Sequence, residues 1–198
     1  MNYFQKLPKI IVTQNNVSKT YTNILAKSSL IQSLIKNPLL FYQYDIQDSD
    51  TPEIIAHKYY KDVSRFWIVM VSNQLMDPQW DWPLNNSVLN QYLLDKYTES
   101  HLYDVHHYEK NILKIDNSTN TKTKETIVID ENTYNNLTET TKTYTLPSGS
   151  TVTVSISKKI VDNYHYEFDL NESKRTINLL NSNYVNQIER EFFKLMGN

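Results

Sequence analysis

Apolar positions recur in this chain with two periods, helical up to about residue 100 and mostly alternating beyond it. Between Tyr44 and Leu84 the pattern predicts a short strand, two short helices and a second strand. Thr51 suits a helix N-cap, Pro52 the first helical position, and Glu53 the positive end of the helix dipole. Ile54, Ile55 and Tyr59 follow as an apolar face. Asp62 reads as a second N-cap ahead of Val63, Phe66, Trp67 and Met70, which fall at the spacing of one helix face, and Asn73 is the stop. Ile68, Val69 and Val71 occupy the opposite face, so this second helix is apolar nearly all round. Such a helix needs cover on every side, and two strands within roughly forty residues cannot supply it.

On the N-terminal side, Leu7-Pro8-Lys9-Ile10-Ile11-Val12 reads as an extended arm that docks on something. Tyr21, Ile24, Leu25, Leu30, Ile31, Leu34 and Ile35 predict a helix over 17–36, ended by Asn37-Pro38, as one candidate cover. After the central stretch, Val88, Leu89, Tyr92, Leu93 and Tyr97 predict a helix over 87–97. The loop before it, Asp77-Pro78-Gln79-Trp80-Asp81-Trp82-Pro83, stiffens two tryptophans with prolines, so the rings either plug a core or present a contact patch.

From residue 101 the alternation predicts strands at Tyr103–His107 and Ile112–Ile115 around a turn at Lys110-Asn111. A polar loop tip over 116–124 and a strand at Thr126–Ile129 come next. Thr143–Leu146 and Thr151–Ile156 flank Pro147-Ser148-Gly149 as a hairpin. Tyr164, Tyr166, Phe168 and Leu170 alternate with His165, Glu167 and Asp169 and predict a further strand, as does 175–180. Ser182 then caps a last helix striped by Val185, Ile188, Phe192, Leu195 and Met196, which either folds back or serves as an interface. The fold class is α+β. Its segments are an N-terminal arm and helix (1–40), a central unit with its following helix (41–100), an antiparallel β domain or insertion (101–170), and a strand with the C-terminal helix (171–198).

Composition narrows the function. A formal net charge of −2 with no dense Lys/Arg cluster argues against binding nucleic acid through its phosphates. No apolar stretch has the length to span a bilayer, and the N-terminus lacks the pattern of a signal peptide. Cysteine is absent, which removes thiolate metal sites and disulfides. With only two glycines, phosphate-cradling loops and nucleophile elbows have no place to form. The histidine group is His101, His106 and His107, and adjacent residues in a strand point to opposite faces, so His106 and His107 cannot both bind one ion. Asp50 with Glu53, and Asp77 with Asp81, are accounted for by caps and turns. No catalytic residue, metal or cofactor is expected. Fifteen tyrosines, by contrast, suit contact surfaces.

The run Tyr44-x-Ile46-Gln47-x-x-Asp50-Thr51-Pro52-Glu53-Ile54-Ile55-Ala56, then Tyr60-x-Asp62, Trp67 and Asn73, resembles a LysM module, with Ser49 and Lys61 standing where that pattern has glycine. Phe66-Trp67-Ile68-Val69-Met70, followed by Asn73, Asp77-Pro78 and Trp82, is similar to the LysM-like baseplate wedge protein 53 family of contractile-tailed phages. The likeness is strongest over 40–97. It implies a LysM-like βααβ unit in a structural, non-enzymatic subunit that joins neighbouring wedges into the six-fold baseplate. The implied partners are other wedge subunits, including the sheath-initiating one. The implied location is the virion tail baseplate, assembled in the host cytoplasm. Contact residues expected on this reading are Ile68, Val69, Val71, Trp80, Trp82, Ile188, Phe192, Phe193 and Met196. The alternative is a LysM module recognising N-acetylglucosamine polymers such as peptidoglycan, in a groove lined by Asp50, Thr51, Pro52, Gln74 and Trp80.

Overall fold

A computed structural model of the chain describes residues 7–24, 37, 39–77 and 79–195. It divides into two compact units, one made of Met1–Asn86 with Asn171–Asn198 and the other of Ser87–Leu170. The break falls at 86/87, ahead of the helix that the helical periodicity groups with the central stretch.

The first unit begins with a hairpin of β1 (Lys9–Gln14) and β2 (Val17–Thr22). Here the structure corrects the reading of 17–36 as one helix, since 17–22 is strand; residues 25–36 lie outside the described residues. The cause is local. Asn15 and Asn16 sit at φ 51° and 60°, the left-handed pair that a two-residue hairpin turn demands and that asparagine tolerates. β-branched residues on either side of the turn favour the extended backbone.

Strand β3 (Phe41–Asp45) leads into helix α1 (Pro52–Tyr60), a short 3₁₀ turn (Val63–Arg65) and helix α2 (Phe66–Ser72). The caps fall where expected. Thr51 Oγ1 accepts from Ile54 N at 3.3 Å, and Asp62 Oδ1 accepts from Ser64 N at 2.9 Å. Lys61 closes α1 in the left-handed region at φ 59°, a conformation that costs a non-glycine residue about 1–2 kcal/mol. The second strand of this unit, however, is not at 74–84. Antiparallel to β3 lies β8 (Thr176–Leu180), with Tyr44 opposite Ile177 and Phe41 opposite Leu180. The whole second unit is inserted between α2 and that strand.

Ile46, Ile55, Tyr60, Trp67, Ile68 and Val69 form one buried cluster with Ile177, Leu179 and Leu180 of β8. Helix α6 (Ser182–Leu195) completes it with Val185, Phe192 and Phe193. Trp67 meets Phe192 at a ring distance of 4.4 Å and Phe193 at 6.0 Å. Arg65 fixes the helix by donating from Nε and Nη2 to the two carboxylate oxygens of Glu189, at 3.0 and 3.3 Å. The apolar second helix is therefore covered by elements of its own chain.

In the second unit, helix α3 (Asn86–His101), kinked at Thr98, precedes a four-stranded antiparallel sheet in the order β5-β4-β7-β6. Its strands are β4 (Val105–Asp116), β5 (Thr121–Ile129), β6 (Thr140–Thr145) and β7 (Thr151–Asp162). Strand β4 runs through Lys110-Asn111 without turning, against expectation; the turn comes at 117–120. The β6–β7 hairpin forms where Pro147-Ser148-Gly149 places it, with Gly149 at φ 84°. Asp130 caps an unforeseen short helix, α4 (Glu131–Asn136), through Thr133 N at 2.9 Å. Residues Asn163–Glu172 are helix α5, not a strand. Asp162 Oδ1 accepts from His165 N at 2.8 Å, which starts a helix. The buried positions on this helix are polar, Glu167 and Asn171 at i and i+4, so the apolar residues trace a misleading alternation.

Candidate functional site

Asp50 sits at the entrance to α1, and its side chain is enclosed by partners. Tyr44 Oη donates to Oδ2 at 2.6 Å, Gln47 N donates to the same oxygen at 3.1 Å, and Lys58 Nζ pairs with Oδ1. Its carbonyl accepts from Trp82 Nε1 at 3.1 Å. Burial pushes the Asp50 carboxyl up, but the donations from Lys58, Tyr44 and Gln47 outweigh it and hold the group below its ordinary value. The hydrogen bond to Asp50, followed by burial and the carboxylate charge, pushes the Tyr44 phenol up to about 12. A carboxyl depressed in the folded state lends stability above its unfolded value of about 4 and loses it as pH falls through the folded value. For a raised phenol the stability is whole below about 10 and lost as pH climbs toward about 12. The expected result is a stability plateau that falls away below pH ~4, with Asp50→Asn flattening that acid limb. Thermal unfolding followed by tryptophan fluorescence between pH 2 and 7 checks this; an Asp50→Asn variant with the wild-type acid slope would refute it.

The five groove residues of the saccharide alternative therefore divide. Asp50 has its carboxylate committed, Thr51 caps α1, and Pro52 is buried at the start of that helix. Gln74 (φ 57°) and Trp80 stay at the surface, Trp80 being 60 % exposed. The loop that presents Trp80 is tied down. Asp81 Oδ2 accepts from Met76 N and Asp77 N at 2.8 and 2.9 Å, and Lys174 Nζ donates to the Trp80 carbonyl at 2.6 Å.

Among the expected contact residues, Ile68, Val69, Trp82, Phe192 and Phe193 are buried in the core of the first unit. Val71 and Ile188 pack partly buried against it, and Met196 lies outside the described residues. Most of the apolar surface of these seven is taken up within the chain, and among the described residues of the set Trp80 is the well-exposed one.

In the second unit the structure also revises the histidine geometry. The β4–β7 register shifts between Val105 and His107, and this irregularity turns the two neighbouring rings toward each other, with their Nδ1 atoms 2.8 Å apart. His106 stacks on Tyr166 at 3.9 Å, and His107 Nε2 reaches Glu109 at 3.3 Å. Among the described residues no group of three His, Cys, Asp or Glu could hold a metal ion. Glu167 accepts from Lys96 Nζ at 2.6 Å and Tyr97 Oη at 2.9 Å, and the first of these bonds raises the Lys96 ammonium above its ordinary value.

What remains turned outward is mostly strand surface. On the β1–β2 hairpin, Ile10, Val12, Val17 and Tyr21 share one face by register and are all exposed. On the four-stranded sheet, Ile127, Val128, Tyr144 and Ile160 are exposed. Alternation over 143–156 marks one apolar face of that hairpin, but the β1–β2 hairpin was hidden in a helical reading and the full sheet face depends on a register that only pairing fixes.

The described residues thus combine tethered polar groups within the units and exposed apolar residues on the strands. A family model described as Base plate wedge protein 53 matches residues 2–195, so nearly the whole chain is matched, and the chain belongs to that family. It is a structural protein of the phage baseplate wedge, with the virion tail baseplate as its location and other baseplate proteins as its partners. No curated protein matches the chain.

Proposed function

We propose that this chain joins neighbouring wedges into the six-fold baseplate, acting through buried protein surface without turnover, and that its partners include the sheath-initiating wedge subunit. Assembly takes place in the host cytoplasm. The observation that carries this reading is the extent of the family match, 2–195, which takes in the hairpin, both compact units and the terminal helix. The hairpin supports it physically. A two-stranded ribbon is at best marginal alone in water, and this one displays Ile10, Val12, Val17 and Tyr21 outward, as a segment does when a neighbour completes it.

The test is reconstitution from purified wedge subunits of the same phage, with and without this chain, scored as closed rings by sedimentation and electron microscopy. Rings are expected only when the chain is added, and rings at full yield without it would end the proposal. The saccharide alternative rests on the exposed ring of Trp80. Titration with chitin or peptidoglycan fragments, followed by tryptophan fluorescence, would favour it if saturable binding disappeared in Trp80→Ala.

A further inference from the structure

In an antiparallel sheet, residues directly opposite one another project to the same side, so the register of β5-β4-β7-β6 sorts every side chain into one of two faces. One face is mainly polar, with Leu113, Ile115 and Val128 among hydroxyl and amide side chains that bond to one another. Thr141 donates to Ser155 at 3.0 Å, Thr126 donates to Asn111 at 2.7 Å, and Thr143 with Thr153 and Asn117 forms a further chain of bonds. The other face carries Tyr108 and Ile112 of β4, Ile127 and Ile129 of β5, Val152, Val154, Ile156 and Ile160 of β7, and Tyr144 of β6. Helix α4 packs over one end of it, where Tyr134 meets Tyr108 at 4.8 Å and Lys158 Nζ donates to the Tyr134 carbonyl at 3.0 Å. Further along, Ile127 is 39 % and Tyr144 52 % exposed.

Besides Lys158, which Tyr134 engages, three lysines stand among these apolar residues. Lys110 lies between Ile127 and Lys158, Lys114 beside Val154, and Lys142 across from Val154. None of the three makes an ion pair among the described residues. Glu125 and Asp116 are the acidic residues on the same face, and Asp116 is engaged by the turn through Ser118 and Thr119.

We infer that this apolar, lysine-studded sheet face is a docking surface for a protein whose contact surface is apolar and rimmed with carboxylates. Charge complementarity selects the occupant. A second copy laid face to face would set lysines against lysines, whereas carboxylates at the rim pair with them and steer the encounter. Strands of 12, 9, 6 and 12 residues give the sheet a face of about 600 Å², and with one end under α4 the part left free is the size of a small or transient interface. The outer strands do not compete as docking edges, because Lys122 and Lys124 on β5 and Lys142 on β6 blunt strand addition. The inference rests on the assembly reading for the choice of probe alone.

The experiment measures binding of the full-length chain to each purified wedge subunit of the same phage, at two salt concentrations. A K110E/K114E/K142E variant should lose at least ~10-fold in affinity and most of its salt dependence. A K122E/K124E/K159E variant makes the same charge change on the opposite face and should bind like wild type. Tyr144→Ala, which leaves the charge alone, should cost about 10-fold as a buried contact. Circular dichroism confirms that each variant is folded. If wild type binds a subunit and the first triple variant binds it equally, the docking face is wrong while the assembly reading stands. If no subunit binds wild type, both fall. Self-association abolished by the same triple variant would overturn the acidic partner in favour of a second copy.

Discussion

Phe192→Ala should destabilise the first unit by about 3–5 kcal/mol, and deletion of residues 182–198 should unfold it outright. Phe192 and Phe193 close over Trp67 from the last turns of α6, at ring distances of 4.4 and 6.0 Å, and Val185 is wholly enclosed beside Leu180 in the same cluster. Against a total stability of about 5–15 kcal/mol, loss of one such ring consumes a large fraction and loss of the helix consumes all of it. For a unit of about a hundred residues, each kcal/mol shifts Tm by about 4–8 °C, so the single substitution should lower it by roughly 12 °C or more. The readout is selective by accident of composition. All three tryptophans, Trp67, Trp80 and Trp82, lie in the first unit, so tryptophan fluorescence follows that unit alone. A Phe192→Ala variant melting with wild type would mean that α6 is not docked in solution, and the helix would return as a candidate interface.

From the sequence, a helix apolar on every side called for cover beyond its flanking strands, and a neighbouring protein was one supplier. The cover is instead intramolecular, from β8 and α6, more than a hundred residues along the chain. Periodicity measures how much surface must be buried. It carries no information about which segment buries it when contacts span such a separation. The baseplate assignment therefore stands on the family match and not on an uncovered helix.

Signals that are local were legible. Thr51-Pro52, Asp62 and Asn73 bound α1, the 3₁₀ turn and α2 as expected, and Gly149 turns the β6–β7 hairpin. The stripe of Val185, Ile188 and Phe192 is the inward side of α6. Signals were missed where the informative residue is polar. Asn15-Asn16 makes a hairpin turn that apolar spacing reads through, and α5 buries Glu167 and Asn171, which a hydrophobic pattern scores as solvent-facing. The candidate docking face was out of reach for a related reason. Val152, Val154 and Ile156 alternate plainly in sequence, but Lys110, Lys114 and Lys142 join them only through strand register.

Polar side chains also fix the first unit, and removing one should cost nearly as much as removing a ring. Asn73 Nδ2 donates to the carbonyls of Val69 and Asn178 at 2.8 and 2.9 Å, and its Oδ1 accepts from Asn178 N at 2.7 Å. Strand β8 is paired with β3 on one side, and this amide acts as a one-residue strand on the other. Asn171 treats the Leu84 backbone in the same way, at 2.7 and 3.0 Å. Asn73→Ala leaves the N–H and C=O of Asn178 without these partners at a part-buried edge, at about 1–3 kcal/mol for each group. The expected loss is about 3 kcal/mol, or roughly 12 °C and more in Tm by tryptophan fluorescence. Asn73→Asp separates hydrogen bonding from packing. Ionised, the new carboxylate still accepts from Asn178 N but faces two carbonyls and should be at least as damaging as alanine at pH 7. Those carbonyls favour the protonated form, so the group's folded value is raised and part of the stability should return as pH falls toward 5, above the range in which Asp50 titrates. If Asn73→Ala cost less than about 0.5 kcal/mol, the edge would have water or another donor in reach, and the amide would be a helix stop and nothing more.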